Sequence, residues 1–228
     1  MLREIVFDTE TTGLSPQEGD KLVEIGAVEL INHIPTGRTY HQYINPERDV
    51  PEEVVKVHGL TYDFLKNYPK LHEIAKDFID FVGDDGILVA HNASFDINFI
   101  NYEFKHKGFP VYPQDRVIDT LEIARAKFPG ARNNLDALCR RFNIDNSART
   151  KHGALLDAEL LSEVYLELLG GAEPTMSLES DQAVENKSEN TKTQNIYREP
   201  RNFPLSEQEI QEHEEFLKNN ITDAIWLK

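Results

Sequence analysis

A chain of 228 residues, 39% of them hydrophobic, has room for one good-sized domain and an appendage. Its formal charge of −16, from 40 acidic and 24 basic residues, argues against a passive coat for nucleic acid. The single cysteine, Cys139, excludes an intramolecular disulfide, and beside Leu138 and Phe142 it reads as a small buried residue. No secretory segment opens the chain and no apolar run approaches membrane-spanning length, so a cytoplasmic protein with no membrane partner is expected.

Ile5, Val6 and Phe7 predict a buried opening strand. Strand side chains alternate faces, so Asp8 and Glu10 leave its end on one side before Thr11-Thr12-Gly13 turns the chain. Adjacent carboxylates repel unless a cation neutralises them, and a hard divalent ion with oxygen ligands is a natural guest. The pair reads equally well as an exposed acidic strand end. Lys21 to Ile31 predicts a second strand and Thr39 to Ile44 a third, joined as antiparallel hairpins by short links that include Gly37. Pro51-Glu52-Glu53-Val54-Val55 opens a short helix, with proline first and acids in the first turn.

Residues 71–82 place Leu71, Ile74, Ala75, Phe78 and Phe81 on one helical face. Ile87 to Ala90 is fully apolar and predicts a buried strand. A turn at His91-Asn92-Ala93-Ser94 leads to a helix from Phe95 to Lys107. Val117-Ile118 predicts another short strand, followed by helices near 120–127, 134–142 and 154–169, the last ended by Gly170-Gly171. This order implies an α/β, ribonuclease-H-like mixed sheet flanked by helices. A three-strand antiparallel meander is joined by parallel strands, with the first strand central.

Between residues 125 and 151 the charge balance reverses. Arg125, Lys127, Arg132, Arg140, Arg141, Arg149 and Lys151 face only Asp136 and Asp145. The stretch is either a patch for a polyanion or a solvated helix face. Residues 172–200, rich in Ser, Thr, Asn, Gln and Glu without periodicity, predict a disordered linker after a domain spanning 1–171. In the tail, 201–228, Ser206 and Glu209 form a capping box before Ile210, Phe216 and Leu217, and the only tryptophan, Trp226, stands near the end. An apolar tail beyond a linker suits a partner's groove.

Two further acids stand out. Asp96 falls in the first turn of its helix, where the dipole favours an anion. Asp157 sits among Leu155, Leu156, Leu160, Leu161 and Val164, a setting that requires it to be paired, liganded or on a polar stripe; ligation is the favoured reading. His152 precedes Asp157 by five residues, about 140° apart on a helix, so it meets Asp157 only from the loop before the helix, with Gly153 giving the freedom.

The stretches Phe7-Asp8-Thr9-Glu10-Thr11-Thr12-Gly13, His91-Asn92-Ala93-Ser94-Phe95-Asp96 and His152-Gly153-Ala154-Leu155-Leu156-Asp157-Ala158 together resemble the three motifs of DEDD 3′→5′ exonucleases, His subtype. Phe128 to Cys139 and the linker-plus-tail layout are similar to the proofreading exonucleases of bacterial replicative polymerases. The resemblance implies that Asp8, Glu10, Asp96 and Asp157 hold two divalent ions, Mg²⁺ or Mn²⁺, with Asp8 bridging them and His152 as general base. It further implies that Glu53 and His58 contact the terminal nucleotide of a single-stranded or frayed DNA 3′ end. Thr11, Leu14 and Asn92 would line the same pocket. The tail would bind the catalytic (alpha) subunit of the polymerase. Members of this group often carry a sliding-clamp sequence that begins with Gln; Glu173 stands there instead, which argues against clamp contact. The alternative is a stand-alone exonuclease trimming RNA or single-stranded DNA, for which the tail has no use. A dehalogenase-type phosphatase fits less well, because Glu10 stands where its first motif expects Asp.

Overall fold

The computed structural model of the protein describes residues 1–171 and 207–220. The chain divides into two units, Met1–Ser177 and Leu178–Lys228. The first is built on a five-stranded sheet. Strand β1 (Arg3–Thr11) forms the centre, where Ile5, Val6 and Phe7 are fully buried. β2 (Leu22–Ile31) pairs with it antiparallel, and β3 (Ile34–Tyr43) pairs with β2 in the same sense. On the other side β4 (Ile87–Ala90) and β5 (Val117–Asp119) run parallel to β1, giving the order β3-β2-β1-β4-β5. This is the expected mixed sheet.

Helices cover both faces, since each face of a buried strand needs an apolar partner. Along the chain come α1 (Glu52–His58), α2 (Tyr62–Leu65), α3 (Leu71–Val82) and α4 (Ala93–Lys107), then α5 (Thr120–Lys127), α6 (Leu135–Phe142) and α7 (Ala154–Leu169). Ile5, Phe7 and Leu88 pack into one core with Phe78 of α3 and Phe99 and Phe104 of α4. Val6, Val28 and Val89 pack on the opposite face with Leu138 and Cys139 of α6 and Leu161, Val164 and Tyr165 of α7. Cys139 is fully buried, as its neighbours suggested.

Two elements and one glycine depart from the reading of the sequence. β3 starts at Ile34, not Thr39, because its exposed first half, with Pro35 and Gly37, still pairs with β2 through Leu30↔Pro35 and Ile31↔Ile34. α2 is a four-residue helix, capped where Phe64 N–H donates to Thr61 Oγ1 at 3.3 Å. Gly153, expected to supply flexibility, is extended at φ −155°, a conformation open to any residue.

In the second unit, α8 (Glu207–Asn220) is helical, with Ile210 and Phe216 exposed and Leu217 buried. The proposed linker at 172–200, the clamp-like stretch 173–178, the cap residue Ser206 and Trp226 lie outside the described residues. Among the described residues no helix is long and apolar enough to cross a membrane.

Candidate active site

In open α/β sheets, ligand sites lie beyond the carboxyl ends of the parallel strands. Here β1 outruns β4: their pairing stops at Val6↔Val89, while β1 stays paired with β2 as far as Thr11↔Leu22. Asp8 and Glu10 therefore lie on a strand with one edge released from the sheet, where helix ends can approach. Asp96, in the first turn of α4, is 4% exposed, and its Oδ1 accepts bonds from Thr9 N (3.1 Å) and Thr9 Oγ1 (2.6 Å). Asp157, in the first turn of α7, is 2% exposed. Both helices direct their positive dipole ends toward a carboxylate.

The approach of α7 depends on a bare spot in β2. Gly26 pairs with Asp8, and a Cβ there would lie 2.1 Å from Leu155 N and 2.2 Å from Ala154 C. These are backbone atoms at the start of α7, which cannot step aside as a flexible side chain could. With hydrogen at this position the helix rests directly on the sheet, and Asp157 comes to the site of Asp8 and Glu10.

His152 stands in the loop before α7, the position its five-residue offset from Asp157 requires. Its N–H donates to Val57 O at 3.2 Å, and its Nδ1 lies 3.6 Å from Asp157 Oδ2. Burial, reinforced by the Arg149 guanidinium, lowers the pKa of its half-exposed ring and favours the neutral form that accepts a proton.

The acids resist ionising together. Burial, and then the charges of Asp96, Glu10 and Asp157, push the Asp8 carboxyl well above the usual range. Burial and then Asp157 raise Glu10 to about 8, and Asp96 is raised to about 7, chiefly by burial. Such a set needs positive charge to ionise at neutral pH. Glu10, His152 and Asp157 each offer a ligand atom, all within 4.8 Å of one another. An oxygen-rich donor set without cysteine fits a hard divalent cation.

Some positive charge is supplied by a residue that reading the sequence did not assign to the site. Arg149 belongs to the basic stretch 125–151, yet its side chain is only 7% exposed. Its Nε donates to Asp157 Oδ1 at 2.5 Å and its Nη2 to Asp157 Oδ2 at 2.7 Å. Asp157 is thus paired, one of the three readings its apolar setting allowed beside the favoured one of ligation. Arg141 also leaves the supposed patch: its guanidinium lies over the Phe128 ring at 4.2 Å. Arg125, Lys127, Arg132 and Arg140 remain exposed on and between α5 and α6. No local pattern marks Arg149, because its partners lie eight and thirteen residues away on two helices.

The remaining candidates line the same depression. A groove of about 750 Å³ is bordered by Asp8, Glu10, Thr11, Leu14, Glu53, His58, Asn92, Asp96 and His152. A smaller pocket of about 260 Å³ shares Asp8 and His152 and adds Asp136, Arg149 and Asp157. Leu14 stands 85% exposed at the groove, while Thr11 and His58 are buried in its wall. Glu53 is exposed in the first turn of α1. Asn92 holds a left-handed conformation at φ 66°, and its N–H donates to Asp119 Oδ1 at 3.0 Å, tying the turn after β4 to the end of β5. Thr9 was not singled out as a site residue: it faces away from Asp8 and Glu10 in the strand alternation, yet it anchors Asp96.

Fold and site together define a nuclease, and the family described as Exonuclease matches residues 5–165; the chain belongs to that family. Among known proteins it is 46% identical over 228 residues to the DNA polymerase III subunit epsilon of Rickettsia felis, across 98% of this chain and 99% of that one. It is 48% identical over 176 residues to the DNA polymerase III subunit epsilon of Escherichia coli K12, across 74% and 72% of the two chains. Solved structures agree on the fold. Exonuclease X in complex with 5′ overhanging duplex DNA is similar at TM-score 0.55 and 25% identity, over 74% of this chain and 91% of that one. The nuclease domain of 3′hExo, a DEDDh family member bound to rAMP, is similar at TM-score 0.61 and 18% identity, over 74% and 92%.

Proposed function

We propose that this chain is the proofreading 3′→5′ exonuclease subunit of DNA polymerase III, hydrolysing the last phosphodiester of a mismatched DNA strand to release a 5′-mononucleotide. The observation that carries this reading is the gathering of Asp8, Glu10, Asp96, Asp157 and His152 from three chain segments at one end of the sheet. The full-length match to relatives named as epsilon subunits supports it.

Asp8, Glu10, Asp96 and Asp157 would hold two divalent ions, Mg²⁺ or Mn²⁺, which would supply activation of water and neutralisation of the charge that builds up on the phosphate. His152 takes the proton of the attacking water, from a loop that lets the ring move without disturbing α7. Glu53 and His58 hold the terminal nucleotide, and Thr11, Leu14 and Asn92 shape its pocket, with Leu14 presenting an apolar contact to the base. Every base has a stacking face, so the pocket need not read sequence. Selectivity follows from fraying, because a mismatched end unpairs at lower cost. The tail, 201–228, reaches the polymerase catalytic (alpha) subunit, and exposed Ile210 and Phe216 on α8 suit such a contact.

The test is to incubate the purified chain with Mg²⁺ and 5′-labelled single-stranded DNA or RNA of one sequence. Stepwise shortening from the 3′ end of DNA, lost when Asp8 and Glu10 are both changed to Ala, is expected. Equal activity in that double variant contradicts the assignment, and a strong preference for RNA favours the stand-alone trimming reading.

A further inference from the structure

We infer that Arg149 is a displaceable counter-cation of the carboxylate site: its guanidinium and a divalent ion compete for the oxygens of Asp157. The inference rests on the nuclease reading of this site, but its test does not require nuclease activity.

Arg149 engages both Asp157 oxygens, at 2.5 and 2.7 Å, in the two-pronged geometry that a guanidinium fork matches. Its third nitrogen, Nη1, donates to Asp136 Oδ1 at 2.8 Å, and that oxygen also accepts from Asn146 Nδ2 at 3.0 Å. Nη2 lies 3.1 Å from His152 Nδ1. One side chain thus ties together α6, the start of α7 and the loop that carries His152. A divalent ion binds a carboxylate oxygen at about 2.0–2.6 Å. On either Asp157 oxygen it would sit within a few ångströms of the guanidinium, between two side chains that are themselves buried from screening water. Like charges at that separation repel strongly, so the fork must open for the ion to bind.

Opening the fork removes what holds His152 beside the guanidinium. Arg149 would therefore keep four crowded acids compatible with folding, and its departure would free the general base as the ion arrives. A residue that merely propped up Asp157 would have the opposite signature, because losing it would weaken ion binding.

The measurement is calorimetric titration of Mn²⁺ into the full chain after chelation, comparing wild type and Arg149→Lys. Lysine keeps the charge but lacks the fork. Arg149→Lys is expected to bind Mn²⁺ about tenfold more tightly, the scale of one charge-assisted bond. Binding by Arg149→Lys equal to or weaker than wild type overturns the inference. If Arg149→Lys fails to fold by circular dichroism, the Arg149 Nε–H resonance of the wild type decides: saturating Mg²⁺ is expected to abolish its protection from exchange with water, and a protected Nε–H that persists overturns the inference. Wild type that binds no Mn²⁺ at all would instead overturn the metal-site reading beneath it.

Discussion

At the scale of single residues, the site is a cluster of acids held where ionisation costs free energy. Asp8, Glu10 and Asp96 all have carboxyl pKa values raised by the folded environment, Glu10 from 4.5 to about 8. Between those limits the folded chain binds more protons than the unfolded chain, so stability falls as pH rises. This contribution is intact below the ordinary carboxyl range and lost once pH passes the raised values. His58, His91 and His152 have lowered pKa values and oppose this trend up to about pH 6.5. The chain in chelator is therefore expected to melt at progressively lower temperature from about pH 6.5 to about pH 8, with Mg²⁺ raising the melting temperature most at the upper end. A melting temperature that holds or rises across this window in chelator contradicts the electrostatic picture. The strand and helix ends that carry these acids were legible in their apolar patterns, but only the resemblance of three motifs taken together singled the acids out as a set. Arg149 was not, because being buried depends on Asp136 and Asp157 converging from α6 and α7, which no spacing along the chain records.

At the scale of elements, apolar periodicity made most of the fold readable. Runs such as Ile87–Ala90 and the repeat in Leu71–Val82 each bury the face the pattern marks. What escaped was decided by pairing or by space. The first half of β3 has exposed side chains and a proline, so only its hydrogen-bonded neighbour reveals it as a strand. Gly26 carries no local signal within the predicted second strand, yet it sets the distance between α7 and the sheet. Overpacking a tight contact typically costs about 1–3 kcal/mol. Gly26→Ala is expected to destabilise the fold by an amount in that range and to depress activity further by moving Asp157 from Asp8. Unfolding in denaturant and nuclease rate check the two effects. A variant with wild-type stability and rate would show that the contact between α7 and β2 is not needed.

At the scale of the whole molecule, the chain joins a nuclease unit to a second unit that carries α8. The match to the Rickettsia felis relative runs through both, whereas that to Escherichia coli covers 176 residues. The division of labour proposed here gives chemistry to the first unit and attachment to the tail. Attachment matters because a tethered site meets each frayed primer end at high effective concentration. The most direct measurement assembles the polymerase catalytic subunit with either the full chain or a chain ending at residue 200, and follows removal of the 3′-terminal nucleotide from mismatched and matched primers in Mg²⁺. The full chain is expected to co-purify with the catalytic subunit and to clear the mismatched end faster than the matched one. The shortened chain should keep its activity on free single strands but no longer co-purify. Equal removal of matched and mismatched ends, or undiminished co-purification without residues 201–228, would contradict it.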